Sequence, residues 1–311
     1  MSNRDNLIHQ DPDSALRLII ADGQARVTMC RATRLTQQAV DIHQASDVAA
    51  TALGRLLAGS AMMASFMDGD HDALTVVVAG DGPAGRLTVV ARQGDLKIAV
   101  DQPQVELPIR ADGKQDVAGY VGHSGKLSVI KDFGVGEPHI GISNLVSGEL
   151  GLDFAEYFTM SEQTPSLVAL GCLVQDGVVL SAGGILIQAM PGCTEKTLEQ
   201  LEIREPFFAG ISREIYDRSL MQLAEFWFEG LDMQMLEEKP LQLKCDCSRE
   251  KMEKALIALG RADLRELADS GEDTVMTCHF CRTQHSFSPQ RLQDILAGKH
   301  LAEDSHAADR L

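Results

Sequence analysis

The chain carries Cys245-Asp246-Cys247 and, about thirty residues later, Cys278-His279-Phe280-Cys281. Two close cysteine pairs separated by a helix-sized spacer can converge on one tetrahedral zinc ion, each pair supplying two thiolates from a tight turn. Four unrelated buried thiols are the weaker reading, because cysteines packed as small hydrophobes have no reason to come in pairs. A four-thiolate site is coordinatively closed and reads as structural, since a hydrolytic zinc keeps a position open for water. A disulfide between Cys245 and Cys247 would close a very small ring, and strained disulfides are the labile, regulatory kind. Oxidation destroys a thiolate ligand set, so the site reads as a switch. Structural zinc supplies apparent binding energy on the order of 10 kcal/mol or more, and its loss should unfold whatever it holds together.

Outward from the cysteines, residues 241–300 form a small module. Ser248 is placed to cap a helix with Met252, Ala255, Leu256 and Leu259 on one face, ending at Gly260. Asp263 and Glu266 have capping-box spacing for a second helix, with Asp263 as the cap. Val275 to Cys278 and Gln284 to Phe287 read as a hairpin around the second cysteine pair, and Ser288-Pro289 opens a last helix that stops near Gly298. The module is too small to bury much core and would need the zinc. With four thiolates present, neither His279 nor His285 is required as a ligand.

Residues 192–240 read as a mostly helical linker over Thr194 to Glu238, with breaks near Pro206, Gly210 and Gly230. Phe207, Phe208, Phe226, Trp227, Phe228, Met233 and Met235 give it an apolar character. Two readings stand: an ordinary core stripe, or a segment that packs on the preceding domain conditionally. Residues 15–191 read as an α+β domain, because long β stretches occur without regular strand-helix alternation. Leu16 to Ala21 and Ala25 to Cys30 suggest a hairpin, and Ser46 caps a helix running to about Phe66. That helix is apolar nearly all round, and Gly54 and Gly59 would permit close packing. Strands are expected at Leu74 to Ala79, Arg86 to Ala91, Leu96 to Val100, Lys126 to Lys131, Val168 to Gln175 and Val178 to Gln188, and a helix over Gly148 to Phe158. Gly80-Asp81-Gly82 lacks a following Lys-Ser/Thr and reads as a hairpin turn rather than a phosphate loop. Residues 1–14 are expected to be a disordered leader and 301–311 an acidic tail.

With 28 Lys+Arg against 45 Asp+Glu, the formal charge of −17 repels phosphate backbones and anionic lipid, which argues against nucleic-acid and membrane partners. Met1 to Ser14 is polar and no stretch approaches membrane-spanning length, so a cytoplasmic location is expected. In that reducing compartment paired cysteines favour metal or redox sensing. The solitary Cys30, Cys172 and Cys193 read as buried or incidental thiols.

These residues resemble the heat-shock protein 33 family of redox-regulated chaperones from about Leu16 to Gly298. The carriers are Ala52-Leu53-Gly54-Arg55-Leu56-Leu57, Gly80-Asp81-Gly82-Pro83, Ser161-Glu162-Gln163-Thr164-Pro165-Ser166, Gly183-Gly184-Ile185-Leu186-Ile187-Gln188, Cys245-Asp246-Cys247-Ser248-Arg249-Glu250 and Cys278-His279-Phe280-Cys281. The resemblance implies an α+β N-terminal domain, a helical linker and a small C-terminal zinc-binding redox domain. It also implies a homodimer formed through the first domain and ATP-independent holding of unfolding client proteins after oxidation. One zinc per chain is expected in the reduced state on Cys245, Cys247, Cys278 and Cys281. Short loops close most readily, which favours disulfides Cys245–Cys247 and Cys278–Cys281 once zinc leaves. The sequence departs from the family at His285, where an aromatic residue, usually Tyr, would be expected.

A zinc-binding thiol-disulfide oxidoreductase using Cys278 and Cys281 is the enzymatic alternative. Such enzymes place the pair at a helix N-terminus, and here Cys281 leads into strand-like sequence. A zinc deaminase would need His-x-Glu and Pro-Cys-x-x-Cys, but Thr277 precedes Cys278. A nucleic-acid-binding zinc module is disfavoured by nine basic against nine acidic side chains in 241–300. No catalytic residue is expected.

Overall fold

A helix that is apolar on every side must be enclosed on every side. The chain divides between Lys244 and Cys245 into two units, and the first is built round such a helix. The computed structural model describes residues 11–299. Strands β1 (Ser14–Ile20) and β2 (Ala25–Arg31) make the expected hairpin and lead into helices α1 (Thr33–His43) and α2 (Asp47–Ala64). Then come β3 (Ala73–Gly80), β4 (Arg86–Arg92), β5 (Asp95–Val100), the short α3 (Val117–Val121), β6 (Gly125–Asp132) and β7 (His139–Asn144). They are followed by α4 (Gly151–Met160), β8 (Ser166–Gln175) and β9 (Val178–Ala189). Helix α5 (Glu195–Glu202), a 3-10 turn over Glu205–Gly210, α6 (Ile211–Asp217), α7 (Leu220–Trp227), β10 (Met233–Pro240) and the short β11 (Gln242–Leu243) complete the unit.

The strands form two sheets, ordered β10-β1-β2-β9-β8 and β11-β5-β4-β3-β6-β7. Every pairing is antiparallel except β11 with β5. Fifteen of the 18 residues of α2 are buried, so the helix has no solvent face, and it touches strands of both sheets. Ser46 caps it as expected, its Oγ accepting from Ala49 N at 3.3 Å. The two glycines earn their place in α2. A Cβ on Gly54 would sit 2.6 Å from Cys172 Sγ, and one on Gly59 would sit 2.5 Å from the Phe154 ring. Their cost in helix propensity, about 1 kcal/mol each, is offset by close packing.

A second apolar core lies on the five-stranded sheet. Leu16, Leu18, Ile20, Val27, Met29, Ile185 and Ile187 meet Leu201, Phe208, Ile211, Ile215, Leu223, Trp227 and Phe228. The segment expected as a linker is thus part of the first unit and covers this sheet. The Arg204 guanidinium ties its helices together, donating to Trp227 O (2.9 Å) and Glu229 O (3.0 Å). Its apolar residues divide: Phe208, Trp227 and Phe228 are buried, whereas Phe207, Phe226 and Met235 remain about half exposed.

Two expectations for the first unit need correction, and one helix was not anticipated. Met233–Pro240, expected within the helical stretch, is strand β10, because it completes the hydrogen bonding of β1. Helix α1 has no counterpart in the sequence reading. The expected leader 1–14 mostly falls outside the described residues, but Asp13 is buried and Ser14 opens β1. Asp13 accepts backbone N–H bonds from Arg34 (3.2 Å) and Leu35 (2.7 Å), satisfying the first turn of α1 from a distance. The expected tail 301–311 lies outside the described residues.

The second unit contains α8 (Arg249–Ala258), α9 (Arg261–Asp269), β12 (Thr274–Thr277), β13 (Gln284–Phe287) and α10 (Pro289–Leu296). Ser248 and Ser288 cap α8 and α10 as expected, each accepting at 3.3 Å from the third residue on. Asp263 does not cap α9, which starts two residues earlier behind Gly260, where the backbone turns at φ +100°. The core is small: Leu256, Leu264, Ala268, Phe287, Leu292 and Ile295. The Arg291 guanidinium grips the buried Glu253 carboxylate at 2.6 and 2.7 Å, linking α10 to α8.

Candidate metal centre

Each cysteine pair is presented by backbone that its own residues shape. Cys278 directly follows β12, and the turn closes through Arg282 N to Cys278 O and Cys278 N to Thr283 O, both 2.9 Å. Arg282 takes the left-handed conformation at φ +60°, which lets the chain reverse into β13. Cys245 and Cys247 lie in the extended stretch before α8, where the Asp246 carboxylate pairs with Lys251.

The structure brings all four predicted sulfurs together, each within 4.8 Å of the others. Cys245 Sγ is 3.7 Å from Cys278 Sγ, and Cys247 Sγ is 3.3 Å from Cys281 Sγ. A tetrahedral ion with metal–sulfur bonds of about 2.3 Å separates its sulfurs by about 3.8 Å, so the donor set fits. Soft thiolates select zinc and its chemical relatives over oxygen-seeking cations. Cys278 is buried and the other three are half-buried, so ligands and entering reagents can reach the cluster.

The protons of the cluster are unevenly held. Burial pushes the Cys245 thiol up to about 11, with the Cys247 backbone N–H opposing and the Cys281 and Cys278 side chains adding. Burial and the same neighbours push Cys247 up further. Burial opposes ionisation at Cys281 too, but the Thr283 hydroxyl and backbone N–H, with the Cys247 and Cys278 thiols, outweigh it and bring the thiol down to about 6. Of these three thiols Cys281 therefore ionises most readily.

Two neighbouring groups were not picked out as contacts in the sequence. Thr283 Oγ1 is 3.2 Å from Cys281 Sγ, and His285 Nε2 is 3.8 Å from Cys247 Sγ. Thr283 directly precedes β13 and His285 lies two positions on, so the extended chain puts both on one side, which is the signal that could have found them. Cys278 and Cys281 lie between two strands and not at a helix N-terminus, so no helix field assists either thiol. Cys30 and Cys172 stand apart in the first unit, and no helix is long and apolar enough to cross a membrane among the described residues.

Comparison with known proteins places this architecture. A family model described as Hsp33 protein matches residues 13–288. A 33 kDa chaperonin of Ruminiclostridium cellulolyticum is 38% identical over 286 residues, spanning 91% of this chain and 98% of the relative. That of Clostridium tetani is 37% identical over 287 residues, with 91% and 98% covered. The crystal structure of the 33 kDa chaperonin (heat shock protein 33 homolog) of Thermotoga maritima superposes with a TM-score of 0.83 at 29% identity, covering 93% of this chain and 99% of that one.

Proposed function

The chain belongs to the Hsp33 family, and from that premise we propose that it is a redox-regulated, ATP-independent holdase chaperone rather than an enzyme. In the reduced state Cys245, Cys247, Cys278 and Cys281 hold one zinc ion and the protein is inactive. The observation that carries the reading is the convergence of four sulfurs within 4.8 Å in a unit whose apolar core has six buried residues. A bound zinc would supply metal–thiolate bonds that tie the two cysteine turns together, stabilisation on the order of 10 kcal/mol that so small a core cannot replace.

Activation is oxidation of the ligand set. Each disulfide forms as two thiols give up two protons and two electrons to an oxidant such as a peroxide, which leaves as water. The pairs are Cys245–Cys247 and Cys278–Cys281. Although Cys245 and Cys278, and Cys247 and Cys281, approach to 3.7 and 3.3 Å across the two turns, pairing across them would close far longer loops than pairing within one, and short loops cost less entropy. Without its ligand set the second unit unfolds.

The 192–240 segment then loses its C-terminal anchor and releases the five-stranded sheet. Its departure would expose Leu18, Val27, Met29 and Ile187 on the sheet and Phe208, Trp227 and Phe228 on the segment. Apolar patches of that kind bind unfolding chains without sequence preference. The net charge keeps loaded complexes soluble. The active form is a homodimer through the first domain, working in the cytoplasm on unfolding client proteins, with neither nucleic acid nor membrane as partner.

The test compares zinc content, free-thiol count, hydrogen exchange over Thr194 to Leu296 and suppression of a model protein's aggregation, before and after peroxide under mildly unfolding conditions. All four should change together. Full holding activity with linker exchange still at its reduced level would rule out release of the segment.

A further inference from the structure

We propose that His285 is a positioning residue of the thiolate cluster: its Nε2–H donates a hydrogen bond to Cys247 Sγ, holding that sulfur in place, offsetting the repulsion between crowded thiolates and slowing its oxidation. The inference rests on the reading of the four cysteines as ligands. His285 stands on β13, half-buried, where its ladder pairing with Met276 sets the direction of the ring. Its Nε2 lies 3.8 Å from Cys247 Sγ, a residue of the other cysteine turn and 38 positions away in sequence.

A thiolate sulfur offers only lone pairs, so toward an ionised Cys247 the ring nitrogen has to be the donor, which selects the Nε2–H tautomer. The ring nitrogen is not itself one of the ligand atoms lying mutually within 4.8 Å, so it acts on a ligand and not in place of one. The need for a donor follows from the sulfurs' spacing. Cys247 and Cys281 face each other at 3.3 Å, the tighter of the two cross-turn pairs, and two thiolates there repel. Each has a donor beside it: the Thr283 hydroxyl 3.2 Å from Cys281, and His285 beside Cys247. A hydrogen bond to a thiolate stabilises the anion and lowers its nucleophilicity together, so the same contact that eases the crowding of the ligand set raises the oxidant threshold.

The test uses the full chain loaded with zinc or cobalt(II), comparing His285→Phe, which keeps a ring without a donor, with His285→Gln, which keeps an N–H. The phenylalanine variant should lose metal to a competing chelator about tenfold more readily. It should also be oxidised severalfold faster by peroxide at Cys247 and show its thiolate-to-cobalt charge-transfer band at lower energy. Glutamine should restore most of each change. Should the phenylalanine variant fail to fold, His285→Met against His285→Gln decides on the same readouts.

An unchanged band and oxidation rate without the donor would overturn the proposal, as would equal behaviour of the donor and non-donor variants. A cobalt spectrum of three thiolates and one imidazole in the unmodified protein would overturn it too, making His285 a ligand. Zinc retention at full affinity in Cys281→Ser would instead sink the four-thiolate reading, independently of His285.

Discussion

Cysteine has opposite fates in the two units. In the first, Cys30 is buried in the core and the half-buried Cys172 packs against a smaller apolar cluster; burial pushes Cys172 up to about 12, with Arg55 opposing, and drives Cys30 higher still. Neither can act as a nucleophile near neutral pH. In the second, four sulfurs share one site and Cys281 is drawn down to about 6. The cores differ in the same sense. The first unit buries α2 between two sheets and covers the five-stranded sheet with α5–α7, whereas among the described residues of the second an apolar cluster of six is joined by the Arg291–Glu253 ion pair. Cys30 and Cys172 are inert where apolar packing suffices for folding, and the four clustered thiols are chemically available where it does not.

Metal removal should break the comparison most sharply. Chelation of the reduced protein should cost the second unit on the order of 10 kcal/mol, abolishing hydrogen-exchange protection in α8 and α10. The amides of β2 and β9 should stay protected. Persistent protection of α8 without metal would mean that the small core suffices.

Glu253→Ala comes next, because it strands Arg291 beside that core. The loss should be about 3 kcal/mol, near the low end for a buried pair because the guanidinium is 19% accessible. Thermal melting of the metal-loaded protein should show it in the second unit's transition alone. An unchanged melt would assign the coupling of α8 to α10 to apolar contacts.

Gly59→Ala probes the other side of the comparison. A methyl 2.5 Å from the Phe154 ring forces repacking worth about 1–3 kcal/mol. The first unit's denaturant midpoint should fall while metal content holds constant, and a rise in midpoint would show that the ring yields freely.

The smallest effect is one of pH. A thiol lowered to about 6 is mostly thiolate at pH 7 and loses that form as pH falls through 6. Alkylation of Cys281 in reduced, metal-free protein therefore separates two states: a cluster that stays folded is near its plateau at pH 7 and drops about tenfold per unit below pH 6, whereas the unfolded unit expected on chelation follows an ordinary thiol at about 8.5. Cys172 should stay unmodified until the pH approaches 12 or the first unit unfolds. Peptide mapping across pH would expose equal labelling of the two and erase the distinction.

The sequence alone determined the features whose causes are local. Cysteine spacing picked out the four sulfurs that the fold brings together, Ser46, Ser248 and Ser288 marked helix starts, and the small residues of α2 marked a buried helix, because each signal acts within a few positions of itself. Tertiary structure alone decided the rest. Met233-Gln234-Met235-Leu236-Glu237-Glu238-Lys239 is composed of helix formers, yet it is a strand, because its partner β1 lies about 220 positions away: Arg17 faces Glu237. Preferences of tenths of a kcal/mol per residue yield to a full ladder of backbone hydrogen bonds. The same holds for Phe207 and Phe208, adjacent and chemically identical, one half exposed and one buried against Trp227 at a ring distance of 5.1 Å. It holds again for His285, whose role depends on a sulfur from the other turn. Composition states which side chains can be buried or paired, and only contacts between distant segments choose among them.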